Sequence, residues 1–214
     1  MITFITVKGT SKRCPRKNHK LLPYVLKQIS NFLDVIVITD DKDLKRIAEN
    51  FNVEVFMEEK DIQHSEFHSI YNYLKKTQRL NEIDEFLYLP ATQPLRSNEL
   101  IMNVAFSDIN DYDFATSYTI VPNRKIFLLN DDNTFMYESY ERKGSLCKDV
   151  KMIDGCCYKI KTSFLDKIIS SENVNHTFWN ESKIKFIENT DDFYIDVDTP
   201  KDLKKYEIIK KITK

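Results

Sequence analysis

Runs apolar enough for buried strands alternate with runs of helical spacing through the first 121 residues of this chain. Ile2–Val7 and Asp34–Thr39 are nearly unbroken apolar stretches, as strands covered on both faces require. Between them, apolar residues at 22, 25, 26, 29, 32 and 33 predict a helix over 21–32. Thr39 or Asp41 is placed to cap a helix running to Asn50. Further strands are predicted at 53–56, 85–89 and 114–121, and further helices at 65–78 and from a Ser97 cap to about Phe106. Such alternation with short connections predicts an α/β fold: a mostly parallel sheet with helices on both faces.

The pattern breaks at about 122–152. The run Asn130-Asp131-Asp132-Asn133 reads as a hairpin turn between short strands at 125–129 and 134–137. We read 122–152 as a small β insertion or dimerisation arm within one domain spanning 1–214. Alternation resumes with a strand at 156–160, a helix at 163–170, strands at 184–187 and 194–197, and a last helix from about Lys201. Trp179, the sole tryptophan, reads as a core or interface residue.

Ligands of parallel sheets sit beyond the carboxyl ends of the strands. Those ends are 8–18, 39–41 and 90–96. The first holds five cations, Lys8, Lys12, Arg13, Arg16 and Lys17, with Gly9, Thr10 and Ser11 among them. Cations, hydroxyls and backbone N–H groups directly after a buried strand suit phosphoryl oxygens, although the Walker spacing is absent. Near the other end of the chain, Asp196 and Asp198 stand at i and i+2 of an expected strand, hence on one face. Two such carboxylates suit one hard cation, Mg²⁺ or Mn²⁺. A metal-bound triphosphate lying between the two segments accounts for both.

Composition narrows the alternatives. Thirty-two cations offset thirty-three anions, a formal charge of −1, so no global field favours nucleic acid. No run approaches the roughly 20 apolar residues of a membrane span. The first apolar run ends at Val7, which predicts no export leader and a cytoplasmic protein. Four cysteines without a CxxC pair read as free thiols.

Lys8-Gly9-Thr10-Ser11-Lys12-Arg13-Cys14-Pro15-Arg16-Lys17-Asn18 resembles the ARGGSKRLPxKN signature of the acylneuraminate cytidylyltransferases, the CMP-sialic acid synthetase family. Ile38-Thr39-Asp40-Asp41 resembles that family's STDD, and Thr92-Gln93-Pro94-Leu95-Arg96 the end of its QPTSPLR. The run 154–160 is similar to its NGAIYI strand, and Asp196-Val197-Asp198-Thr199-Pro200-Lys201-Asp202-Leu203 to its D-I/V-D-T-P-x-D-L motif. The five matches fall in family order across nearly the whole chain.

The resemblance implies a Rossmann-like nucleotidyltransferase fold, a homodimer, and transfer of CMP from CTP to the anomeric hydroxyl of a keto sugar acid of the nonulosonic, sialic-acid-like type. Pyrophosphate leaves, and the product serves surface glycan synthesis. By the same resemblance, Lys8, Gly9, Thr10, Ser11, Lys12, Arg13, Asn18, Thr39 and Asp40 bind nucleotide. Lys17, Lys8 and Asp198 are catalytic, Asp196 and Asp198 bind the metal, and Thr92, Gln93, Arg96 and Arg142 meet the sugar. Departures cluster on the sugar side, where Pro90 and Ala91 replace a family Gln-Pro. In the first loop, Lys8 replaces an arginine and so loses a bidentate fork, and Thr10 replaces a glycine. A transferase for another sugar or polyol phosphate, or a catalytically impaired binder of nucleotide sugars, remains an alternative at the level of sequence.

Overall fold

The computed structural model describes residues 1–59, 65–121 and 149–212. Its strands are β1 (Ile2–Val7), β2 (Asp34–Thr39), β3 (Glu54–Met57), β4 (Glu85–Tyr88), β5 (Phe114–Val121), β6 (Val150–Lys161) and β7 (Ile184–Glu188). Its helices are α1 (Lys17–Ile29), α2 (Lys42–Glu49), α3 (Glu66–Lys76), α4 (Asn98–Ala105), α5 (Thr162–Ile169), α6 (Val174–Asn180) and α7 (Pro200–Ile212). The strands form one seven-stranded sheet in the order β3-β2-β1-β4-β6-β5-β7. Among the described strands, only β6 runs antiparallel to its neighbours, β4 and β5.

Two apolar clusters follow from burial on both faces. One packs Ile5, Val37, Leu26 and Ile101; the other packs Phe4, Ile36, Tyr73 and Phe178. Adjacent strand residues such as Phe4 and Ile5 therefore feed opposite faces, as period-2 geometry dictates. A third cluster decides the site. Cys14 and Leu21 pack against Ile195, Val197, Leu203 and Tyr206, so apolar burial joins the first loop to the late acidic segment. Among the described residues, no helix is long and apolar enough to cross a membrane.

Three expectations need correction. The first helix spans Lys17–Ile29, not 21–32. Arg16 adopts a left-handed backbone, φ 59°, and the Lys17 N–H bonds the Cys14 carbonyl, so the first turn begins within the polar run. Apolar periodicity cannot mark a turn whose side chains face a polar cleft. No strand forms at 194–197; that segment is held by a Val197 N–H to Thr92 carbonyl bond of 2.9 Å and by the apolar anchors Ile195 and Val197. The strand expected at 156–160 is the end of the longer β6, which begins inside the proposed arm at Val150. Periodicity does not predict α6 at all, because only seven mostly polar residues carry it. The expected hairpin at 125–137 and Arg142 lie outside the described residues.

Candidate active site

The chain runs from β1 outward through β2 to β3, then returns to place β4 on the other side of β1. A crevice opens at that switch point, beyond the strand ends. It holds two adjoining cavities. One, of about 440 Å³, is lined by Lys8, Thr10, Arg13, Lys17 and Asn18 from the first loop and α1. The other, of about 480 Å³, lies beside Gln93, Gly155, Tyr158 and Trp179. Glu66, Tyr88, Pro90 and Thr92 line both and form the wall between them. A larger hollow of about 1020 Å³ lies at the other end of the strands, around Ile2, Glu85 and Lys161, away from every motif residue.

The first loop is fastened to the end of β2. Asp40 accepts the Gly9 N–H at 2.7 Å and is itself buried. Asp41 caps α2, its Oδ1 accepting the N–H groups of Asp43 and Leu44 at 2.8 and 2.9 Å. Burial pushes its carboxyl up, but those two N–H groups and His19 outweigh it and hold the group below its ordinary value. Gly9 sits hard against this cap: a Cβ there would lie 2.3 Å from Asp41 Oδ2 and 2.7 Å from Asp41 Cβ. The capped carboxylate cannot swing aside without losing its bonds. Gly9→Ala is therefore expected to destabilise the fold by about 1–3 kcal/mol, as overpacking does. Urea denaturation measures this, and an unchanged midpoint would refute the close approach.

Thr39 and Asp40, expected to touch nucleotide, line neither cavity; both are buried and brace the turn. Asn18 lines the first cavity and donates to the Lys8 carbonyl at 2.7 Å, closing the loop on itself. Ser11 accepts the Cys14 N–H at 3.3 Å, whereas Lys12 is exposed.

The two ends of the chain meet at Asp198. Lys17 is only 8% exposed, and its ammonium donates to Asp198 Oδ1 and to the Val197 carbonyl, both at 2.8 Å. Arg13 reaches Asp198 Oδ2 at 3.0 Å. Asp196 is exposed to the second cavity. Desolvation by the cleft walls is the main influence that raises its carboxyl pKa; Asp198 adds to it, while the Thr92 hydroxyl, Lys17 and Arg13 oppose it. Asp198 lies close enough to disfavour the charge of Asp196, and a divalent cation held by the pair would relieve that penalty.

The expected sugar contacts divide. Thr92 lies on the shared wall. Gln93 lines the second cavity but is buried, donating to the Asp154 carbonyl at 3.0 Å. Arg96 lines neither cavity. Its guanidinium is buried and donates to the carbonyls of Cys156 at 2.5 Å and Pro90 at 2.8 Å, tying the loop after β4 to β6. Burial holds that guanidinium below its ordinary pKa.

Sequence pattern does not mark Glu66, Tyr88, Asp154, Tyr158 or Trp179 as site residues, yet all five line the second cavity. Asp154 and Gly155 reach it through an irregularity: Thr116 and Tyr118 of β5 face Tyr158 and Ile153 of β6, so β6 bulges outward at 154–157. Gly155 takes φ +68° there. The family-like run 154–160 is the one signal in the sequence that points to this stretch.

No protein-family model matches this sequence, and no curated protein matches it. Solved structures do match. A CMP:2-keto-3-deoxy-manno-octonic acid synthetase complexed with CTP aligns with a TM-score of 0.71 at 16% identity, over 100% of this chain and 99% of that one. The 4-diphosphocytidyl-2C-methyl-D-erythritol synthase of Anaerococcus prevotii gives 0.68 at 15%, over 98% and 97%. The inositol-1-phosphate CTP transferase of T. maritima gives 0.62 at 14%, over 100% and 96%. The fold is that of the Rossmann-like nucleotidyltransferases. In that frame the first loop of this chain follows β1 and the bulge of β6 stands across the crevice from it.

Proposed function

We propose that this chain is a cytidylyltransferase: it takes CMP from CTP onto a hydroxyl of a sugar-like acceptor and releases pyrophosphate. The observation that carries the reading is the placing of the crevice's cations. Lys8, Arg13 and Lys17 all line the first cavity, together with Glu58 and Glu66, and a second cavity large enough for a sugar adjoins it across Thr92 and Glu66. A donor triphosphate and a hydroxyl acceptor need such a pair of adjoining pockets. The choice of CTP rests on the sequence resemblance and on the names of structurally similar enzymes, since loop cations alone do not read a pyrimidine. The acceptor that the resemblance favours is a keto sugar acid of the nonulosonic type, through its anomeric hydroxyl.

The chemistry follows from the side chains. Loop cations and N–H groups bind the triphosphate oxygens and hold the α-phosphorus for in-line attack. Lys17, buried and aimed by two acceptors, supplies a fixed positive charge as the pyrophosphate leaves. Asp196 and Asp198 would hold Mg²⁺ or Mn²⁺, whose charge neutralises phosphate oxygens. The Thr92 hydroxyl lies beside Asp196 and favours its ionised form, and Thr92 itself stands at the junction of the cavities.

Thermal-shift titration with CTP, UTP, ATP and GTP in Mg²⁺, followed by pyrophosphate release with a panel of sugar acids and polyol phosphates, tests the reading. CTP is expected to stabilise the protein most, and release is expected to require both an acceptor and metal. Equal stabilisation by all four nucleotides, or a purine preference, defeats it.

A further inference from the structure

The second cavity has a composition that the transferase reading does not require. Among the described residues, its lining contains three carboxylates, Glu66, Asp154 and Asp196, and no lysine, arginine or histidine. Phe67, Tyr88, Tyr158, Phe178 and Trp179 also line it. Tyr88 and Tyr158 stack with centroids 5.8 Å apart, Tyr158 meets Phe178 at 6.0 Å, and Phe178 meets Trp179 edge-to-face at 4.8 Å.

Lys17 and Arg13 offset the charge of Asp196, but among the described residues no cation pairs with Glu66 or Asp154. Asp154 is buried and takes bonds from the Ser117 hydroxyl, the Cys156 N–H and the Asn189 amide, all neutral donors. Glu66 stands in the first turn of α3 without an ion pair or hydrogen bond among the described residues. Burial first, and the Glu66 charge second, hold the phenols of Tyr88 and Tyr158 above their ordinary pKa, which puts that carboxylate's field on the aromatic wall. Even with Asp196 committed to a divalent cation, Glu66 and Asp154 remain.

An acidic substituent placed here would meet like charges in a partly desolvated pocket. Carboxylates set beside aromatic rings instead attract ammonium groups. The first cavity, although Glu58 and Glu66 also line it, holds the cations that phosphates need. We infer that the acceptor presents a cationic amine to the Glu66–Tyr158–Trp179 cavity, so that the substrate is an amino-substituted sugar or polyol with its nitrogen free rather than acylated. Any carboxylate or phosphate on that acceptor then lies outside this cavity. The inference rests on the transferase reading for the word acceptor; the cation site itself does not.

Trp179 is the sole tryptophan and lines the cavity, so its fluorescence reports occupancy directly. Titration of the wild-type protein with tetramethylammonium chloride, at ionic strength held constant with sodium chloride, is expected to give a saturable change. Uncharged tert-butanol should give none. Glu66→Gln, which removes charge and keeps shape, should weaken the response about tenfold, and Tyr158→Leu should weaken it independently. Circular dichroism checks that both variants fold. No saturable change, an equal response to tert-butanol, or indifference to Glu66→Gln would overturn the inference. Pyrophosphate release is then compared for matched acceptors bearing a free amine, an acetamide or a hydroxyl at one position. The free amine should be preferred, and preference for the acetamide overturns the substrate assignment. A protein that binds no CTP and releases no pyrophosphate with any acceptor counts against the transferase reading alone, because the titration without nucleotide decides the cavity in either case.

Discussion

Lys17→Ala is expected to lower the rate of cytidylyl transfer by about a hundredfold or more, as loss of one preorganised group at a developing charge does. The expectation follows from how the ammonium is held. Lys17 is 8% exposed and fixed by the Val197 carbonyl and Asp198, both at 2.8 Å, so its charge sits in a partly desolvated place at no further cost of ordering. Ground-state triphosphate has Lys8, Arg13 and the loop N–H groups as well, so the dissociation constant of CTP should change less than the rate. Stopped-flow or steady-state kinetics at saturating CTP separate the two. The substitution also leaves Asp198 without its buried partner, so denaturation midpoints must be measured beside the rates. Lys17→Arg keeps the charge and is expected to restore stability more fully than rate, because its donors fall at different points. A Lys17→Ala protein that binds CTP weakly yet turns over normally at saturation would remove Lys17 from the catalytic step.

Asp198→Asn is expected to cost more, about a thousandfold or greater, since metal-borne charge stabilisation is worth several kcal/mol. Asparagine keeps an oxygen for Lys17 but removes the charge that pairs with Arg13 and that would hold the metal. The fold should survive, because the segment is anchored by Ile195, Val197 and Leu203 rather than by this ion pair, and Asp198 is partly exposed. Activity measured against Mg²⁺ concentration gives the decisive comparison. Near-normal turnover at limiting Mg²⁺ would place the metal elsewhere.

Part of this site is legible in the amino-acid sequence. The first loop and the late Asp-Val-Asp run stand out because charged residues directly after a buried strand, or just before a helix, break the apolar pattern sharply. Residues that brace are harder to read. The family resemblance marks Thr39, Asp40 and Arg96 as ligands, and in the structure all three are buried and line neither cavity. Whether such a side chain faces a cavity or a backbone carbonyl depends on what packs over it, and here the β6 carbonyl of Cys156 takes Arg96 while the Gly9 N–H takes Asp40. Glu66 and Trp179 show the reverse: an ordinary helix-start acid and an ordinary apolar aromatic by pattern, brought to one cavity by separate elements.

The layered α/β architecture, the elements through β5 to within a few residues, and the strand ends at which polar residues gather can all be read from the order of the amino acids. Those are local consequences: hydrophobic period selects helix or strand, and burial on both faces selects uninterrupted apolar strands. Long-range packing, by contrast, is what makes β6 run antiparallel and bulge at 154–157, keeps 194–197 from forming a strand, and closes Lys17 on Asp198 across nearly the whole chain. Each depends on contacts between residues far apart in sequence. The apolar packing of Cys14 and Leu21 on Ile195 and Val197, which brings Lys17 to Asp198, carries no periodicity that either segment could display alone.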